Sequence, residues 1–344
     1  MSLPASARLL ADLVAIPSPT GNEGEAARLL VDQLPMLGWN AAHLDGAGNV
    51  IGSRGNGENE LVILSHIDTV PGGPRFLIDN ERIQGRGSVD AKGPCCAMAV
   101  AGGSVPIPPG WRITFVGAVG EEVDSRGARF RMPLHSPAAC VIGEPTGSDG
   151  VALSYRGRVF FGFEAEDEGA HRSGSPGPMT AAIMATASLV DITKNMGPGY
   201  TTSVVEMEGR ESGGRYGRVM IDLRTPIGAL QEDVELLLRE TSAAFGVGLS
   251  IVEYVPPYGV QKTDKVIRAF RTSIRDTGAK PRVLAKQGTC DFNVLSPWGC
   301  PMAAYGPGDS KYDHSSNEQI PIAEYLRGIE VLKLALPRIM ETAG

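Results

Sequence analysis

Two histidines and a set of acids supply this chain's candidate chemistry, and most of them stand where a hydrophobic run stops. His66 and Asp68 close the run LVILSHIDTV. Two positions apart in an extended segment, they point to the same side. That spacing suits a metal-binding imidazole beside a carboxylate that orients it through hydrogen bonds. Taken alone, a strand-end histidine is more often structural. Asp90 lies in GRGSVDAKG, whose glycines let backbone and metal approach closely. A glycine-rich turn with one solvated acid is the plainer reading of that loop. It is no phosphate loop, because the order G-x-x-x-x-G-K-S/T is absent and Lys92 precedes its glycine. Glu121 and Glu122 follow ITFVGAVG as neighbours that repel when ionised unless cations or protons compensate. A pair of solvated loop acids is the equal alternative. Glu144, in GEPT, ends a third apolar run, and His314 sits far along the chain in the polar, glycine-rich loop YGPGDSKYDHSSNE.

Together His66, Asp90, Glu122, Glu144 and His314 make a nitrogen and oxygen ligand set without cysteine. Five ligands, one of them bridging, suit two zinc-like ions. The repeated placement of ligand-type residues at strand ends favours one shared site over five unrelated side chains.

The elements that must carry these residues alternate. Helical patterns near Ser6–Val14 and Glu23–Leu34 precede apolar strands beginning at Leu61, Ile113 and Ala138. In open α/β sheets ligands gather beyond the carboxyl ends of the strands, which is where the acids and His66 fall. From about Ser154 the texture becomes strand, helix near Met179–Lys194, strands near Thr202–Met207 and Val219–Leu223, helix near Leu230–Phe245, and strand Leu249–Tyr254. That β-α-β-β-α-β order is ferredoxin-like and makes a compact domain by itself. After Pro256-Pro257 the α/β texture returns, with a helix near Val266–Thr277 and a last one from Ile322. The chain therefore reads as a discontinuous domain, 1–153 with 256–344, interrupted by an inserted domain at 154–255.

A length of 344 residues fits two domains, and 42% hydrophobic with 21% charged residues is the composition of globular cores. The net charge of -7 opposes a general nucleic-acid binder, which needs a dominant basic surface. No run approaches the roughly 18 to 20 apolar residues that span a bilayer, and the N-terminus lacks a leader pattern, so a cytoplasmic protein is expected. Five cysteines, two of them adjacent at Cys95 and Cys96, read as free thiols.

The series SHIDTV, GRGSVDAKG, EEVDSRG, GEPT and GPGDSKYDHSSNE resembles the M20 metallopeptidase family over nearly the whole chain, inserted domain included. The resemblance implies a zinc-peptidase-like catalytic domain with a ferredoxin-like lid that also dimerises. It implies two divalent ions, zinc with cobalt as a substitute. Asp90 would bridge them, with His66 and Glu144 completing one site and Glu122 and His314 the other. Asp68 would orient His66, Glu121 would be the catalytic base and later the acid, and the peptide between Asp90 and Ala91 would be cis. His171, in GAHRSG, matches a family position that reaches a partner subunit's active site.

Lys286 stands where related enzymes place a substrate-binding cation, with Arg224 as a second candidate. More closely, GRGSVDAKGP, KQGTCDFNVLSPWGCP and AYGPGDSKYDH look like the branch that releases lysine or ornithine from an amino-group carrier protein in lysine and arginine biosynthesis. The lid arginines Arg156, Arg158, Arg210, Arg215 and Arg218 then become candidates for docking an acidic carrier. Cys290 departs from the serine usual in the family's G-T-S-D element. Deacylation of small N-acyl amino acids and dipeptide cleavage use the same machinery and remain alternatives. A non-catalytic binding protein is the outside alternative, opposed by the presence of Glu121 with all five ligand positions.

Overall fold

A computed structural model of the chain describes residues 3–169, 176–211 and 213–343. They form two compact units: Met1–Leu153 with Val260–Ala285 and Cys290–Gly344, and Ser154–Gly259 with Lys286–Thr289.

The first unit is an α/β layer structure. Its sheet runs in the order Ala41–Leu44, Val50–Gly55, Trp111–Ala118, Asn59–His66, Ala139–Gly143, Met302–Ala304 and Gly150–Tyr155. The central strands are parallel, with Ile63 in register with Phe115 on one side and Val141 on the other, and Ala303 beside Val141. Strands buried on both faces need continuous apolar sequence, which is why VIL in Asn59–His66 and ITFV in Trp111–Ala118 read so plainly. Helices Ala5–Ala15, Gly24–Gln33, Lys92–Ser104, Lys265–Asp276 and Ile322–Ala343 belong to this unit. One core joins Leu10, Leu13, Leu30, Ile63, Phe115 and Phe270, the last stacked on Tyr305 at 4.6 Å between centroids.

Helix Lys92–Ser104 is buried on nearly every side, and its sequence KGPCCAMAVAGGS is small enough to allow it. A Cβ on Gly102 would stand 2.7 Å from Ile63 Cδ1 and 2.8 Å from Trp39 Cζ2, too close for any real contact. A helix without a polar face shows no amphipathic period.

The second unit orders its elements as strand Gly157–Asp167, helix Pro178–Met196, strands Thr201–Arg210 and Arg215–Thr225, helix Gln231–Phe245 and strand Gly248–Val255. Its antiparallel sheet runs Thr201–Arg210, Arg215–Thr225, Gly157–Asp167, Gly248–Val255, the ferredoxin-like arrangement. Val159, Phe161, Phe163, Val219, Ile221 and Leu223 alternate onto one face and pack with Ala182, Leu189, Val234 and Leu238 of the helices. Strand Thr201–Arg210 is an exposed edge, with Val204, Val205 and Met207 about half exposed. All five cysteines are free and buried. Among the described residues, no helix is long and apolar enough to cross a membrane.

Candidate active site

The parallel strands Trp111–Ala118, Asn59–His66, Ala139–Gly143 and Met302–Ala304 all release chain at the same edge of the sheet. His66 is the last residue of its strand and 1% exposed. Its Nδ1 lies 2.9 Å from the Asp68 carbonyl oxygen and 3.6 Å from Asp68 Oδ1. A proton on Nδ1 donated to those acceptors would leave Nε2 as the ring's ligand nitrogen. Nε2 faces Asp90 Oδ1 at 3.2 Å and Glu121 Oε2 at 3.9 Å.

Asp68 is held as firmly. Its Oδ2 accepts from the Thr20 hydroxyl at 2.7 Å and from Glu122 N–H at 3.2 Å, while Oδ1 accepts from Glu121 N–H at 3.0 Å. One carboxylate thus orients the imidazole and pins the turn that carries both glutamates.

Asp90 stands just ahead of helix Lys92–Ser104, joined by a cis peptide to Ala91. Its Oδ1 faces His66 and its Oδ2 faces His314 Nε2 at 3.1 Å. Glu122 meets the same His314 nitrogen through Oε2 at 3.0 Å. Ligand atoms of His66, Asp90 and Glu122 lie within 4.8 Å of one another, a grouping able to hold a metal ion. His314 adopts a left-handed φ of 56°, uncommon for a residue with a Cβ, and its side chain is 51% exposed. Glu144 follows strand Ala139–Gly143, buried and within electrostatic reach of Glu121.

The charges do not balance. Carboxyls of Asp68, Asp90, Glu121, Glu122, Glu144 and Asp291 gather about two imidazoles, and among the described residues no lysine or arginine pairs with Asp90, Glu121 or Glu122. Burial pulls His66 down, yet Glu121, Asp68 and Asp90 outweigh it and hold it well above the usual imidazole range. Hydrogen bonds to Asp90 and Glu122 raise His314 to about 10. Burial pushes Asp90 up, but His314 and His66 prevail and hold it low. Burial drives Glu121 well above the carboxylate range, and Glu144, Asp291 and Glu122 add to it against His66. A surplus of buried carboxylate, with nitrogen and oxygen donors only, is the environment a divalent cation neutralises. The residues present therefore fit a metal centre.

Two participants escape sequence reading. Glu318, fully buried, accepts the N–H groups of Val89 and Asp90 on Oε1 at 2.9 and 3.0 Å and Arg86 Nη1 on Oε2 at 2.6 Å. It fixes the backbone that presents Asp90. Its one signal is its place four residues after His314 in the same loop. Asp291, 1% exposed, sits near Ser125, His66 and Glu121, and burial raises its carboxyl to about 6.

Of the candidate substrate cations, Lys286 groups with the second unit at the end of strand Arg282–Lys286. Arg224 holds Asp222 and Thr289. His171 lies outside the described residues. The lid arginines meet acids of their own unit: Arg158 meets Asp222 and Glu253, Arg215 meets Asp167, and Arg218 meets Glu164. Arg210 instead lies over the Tyr216 ring. His43 is exposed, and His135 is built into a separate cluster with Glu60.

The sequence profile of peptidase family M20/M25/M40 matches residues 62–338. A Deinococcus radiodurans protein named LysW-lysine hydrolase is 33% identical over 354 residues, covering 98% of this chain and 97% of that one. A Pyrococcus abyssi protein, provisionally named LysW-lysine/LysW-ornithine hydrolase, is 36% identical over 335 residues, covering 96% and 93%. Among solved structures, an M20 family metallo-carboxypeptidase from Sulfolobus solfataricus superposes with a TM-score of 0.81 at 17% identity, covering 98% of this chain and 100% of that one. With ligand-type residues at strand ends, an acid surplus and a profile match over most of its length, the chain belongs to peptidase family M20/M25/M40, a family of metal-dependent hydrolases.

Proposed function

We propose that this protein hydrolyses the amide or isopeptide bond that joins lysine or ornithine to an amino-group carrier protein, in cytoplasmic amino-acid biosynthesis. The observation that carries the chemistry is the grouping of His66, Asp90 and Glu122, with ligand atoms within 4.8 Å of one another, and Glu121 Oε2 beside it at 3.9 Å from His66 Nε2. The names of the relatives from Deinococcus and Pyrococcus support the carrier.

His66, Asp90 and Glu144 would hold one divalent cation and Asp90, Glu122 and His314 the other, zinc or cobalt by donor type. When bound, such ions polarise a carbonyl and lower the pKa of water, about 15.7 in bulk, to near neutrality. Glu121 takes the proton of the attacking water on its carboxylate and returns it to the amine as the C–N bond breaks. Asp68 keeps the His66 proton on Nδ1, so Nε2 remains a ligand. Glu318 holds Asp90 against both imidazoles. Lys286 and, from the segment outside the described residues, His171 are the side chains we assign to the substrate. The half-exposed Val204, Val205 and Met207 of the edge strand Thr201–Arg210 support a homodimer.

The test is release of lysine and ornithine from a γ-glutamyl-linked carrier by metal-loaded protein, with N-acetylornithine and dipeptides alongside. Carrier turnover that vanishes in Glu121→Ala supports the proposal. Preference for a free acyl amino acid or dipeptide would transfer the same machinery to a deacylase or dipeptidase.

A further inference from the structure

Asn49 closes the hairpin between strands Ala41–Leu44 and Val50–Gly55, and it is fully buried. The hairpin turn is a firm mount. Asp45 Oδ1 accepts the N–H groups of Ala47 and Asn49 at 2.9 and 3.0 Å, and its Oδ2 accepts Asn49 Nδ2 at 2.9 Å. From there the Asn49 side chain reaches the segment that leaves strand Trp111–Ala118. Its Oδ1 accepts Val119 N–H at 3.0 Å, and its Nδ2 donates to the Gly127 carbonyl oxygen at 3.2 Å. The amide orientation follows from these neighbours, since an N–H only donates and a carbonyl or carboxylate oxygen only accepts.

Val119 and Gly127 are the two feet of one loop, and that loop carries Glu121 and Glu122. Gly127 N–H donates to the Val119 carbonyl oxygen at 2.9 Å, and within the loop the Gly120 carbonyl oxygen accepts Asp124 N–H at 3.1 Å and Ser125 N–H at 2.7 Å. Gly120 and Ser125 take left-handed φ of 77° and 53° to make the turn. Asn49 and Gly127 are matched in space, because a Cβ on Gly127 would stand 2.3 Å from Asn49 Oδ1. The glutamates themselves are held separately by Asp68, which accepts the Glu121 and Glu122 N–H groups at 3.0 and 3.2 Å. Their side chains then meet the histidines, with Glu121 Oε2 at 3.9 Å from His66 Nε2 and Glu122 Oε2 at 3.0 Å from His314 Nε2. Asn49, both feet of the loop, both glutamates and both histidines belong to the first unit.

Val119 and Glu122 are three Cα steps of about 3.8 Å apart, so a foot that slips carries the glutamates with it. We propose that Asn49 is a positioning residue that fixes the feet of the 119–127 loop and thereby sets Glu121 and Glu122 at the cation centre. This rests on the reading of the two glutamates given above. Loss of Asn49 strikes one cation position rather than both, because Glu122 belongs to the one shared with His314, whereas His66 and Glu144 stand at the ends of other strands.

Asn49→Ala removes both contacts with the feet, and Asn49→Asp keeps the acceptor for Val119 while losing the donor to Gly127. In metal-free full-length protein, amide hydrogen exchange at Glu121 and Glu122, whose own partner is Asp68, should quicken about tenfold in Asn49→Ala, the size of one lost hydrogen bond. Exchange in strand Asn59–His66 should keep its wild-type rate. In a zinc titration against a chromogenic chelator, the binding step that His314→Ala abolishes should weaken about tenfold, with the other step unchanged. In turnover, kcat should fall roughly 10- to 100-fold with KM within about twofold, the pattern of displaced catalytic groups. Asn49→Asp should lie between wild type and Asn49→Ala in all three measurements, and it carries the test alone where Asn49→Ala does not fold. Wild-type exchange at both glutamate amides would overturn the proposal. So would equal weakening of the two zinc steps with faster exchange in Asn59–His66, the mark of a general loosening of the unit. If the wild type turned over none of the assayed substrates, the functional reading would fail, while exchange and zinc titration would still decide the role of Asn49.

Discussion

Strand Asn59–His66 carries a histidine–carboxylate cluster near each end, and the two differ in charge balance rather than in residue type. At its start Glu60 accepts Thr114 Oγ1 at 2.6 Å, His135 Nδ1 at 3.1 Å and Arg112 Nη2 at 3.3 Å. Arg131 Nε donates to His135 Nε2 at 3.0 Å, and its Nη1 lies 3.5 Å from Asp45. Each acid has its cation and each ring nitrogen its partner, which is how a buried polar network stabilises a fold. At the far end His66 looks onto an excess of carboxylate. Counting histidines and acids would rank the two ends alike. Charge balance separates a finished cluster from one that needs an ion.

The contrast breaks most sharply at Glu121. Glu121→Gln removes the proton acceptor while keeping shape, so kcat should fall by about 10³ or more with metal content unchanged by elemental analysis. Full activity in that variant would dismiss the catalytic reading of this end. Next in size is Asp68→Asn, which weakens the orientation of His66 and of both glutamate N–H groups. Metal affinity should drop roughly 10- to 100-fold in a competition titration with a chromogenic chelator, and an unchanged affinity would make Asp68 structural only.

The other end supplies the smallest effect and the control. Burial pushes Glu60 up, but His135, Thr114 and Arg112 outweigh it and bring it down to about 2. Because its folded pKa lies below the unfolded value of about 4.3, it stabilises the fold above that pH, and the contribution is lost as pH falls toward 2. Glu60→Gln should flatten the acid limb of the Tm profile over that window, by on the order of 2–3 kcal/mol, and leave kcat at its wild-type value. A loss of turnover instead of acid stability would erase the distinction.

The legible parts of the molecule are those where one residue type meets one local rule. Parallel strands buried on both faces announce themselves as apolar runs, and the candidate ligands His66, Glu122 and Glu144 stand at or beyond the ends of three of them. The second unit's strands and helices alternate with clear periods, so its order could be read. Helix Lys92–Ser104 could not, because burial on nearly all sides leaves no polar face to set a period. Glu318 was invisible because its role is to accept two backbone N–H groups more than two hundred positions away, and backbone leaves no mark in side-chain spacing. His135 carries no local mark of its role either, because Glu60, 75 positions away, reaches it only in the fold. Arg224 pairs with Asp222, two positions before it on the same strand, but Arg158, Arg215 and Arg218 find Asp222, Glu253, Asp167 and Glu164 only across the sheet, and that pairing is not written in their local sequence.

The two imidazoles of the centre meet solvent unequally, with His66 1% exposed and His314 51% exposed on a loop with a left-handed backbone. Exposure governs how quickly a ligand can let go and be replaced by water. The cation position that shares His314 should therefore be the labile one, emptied first by dialysis and refilled last, while the position on His66 retains its ion. That order of exchange opens a route to a mixed-metal protein with a silent ion on the buried side and a spectroscopic one on the open side.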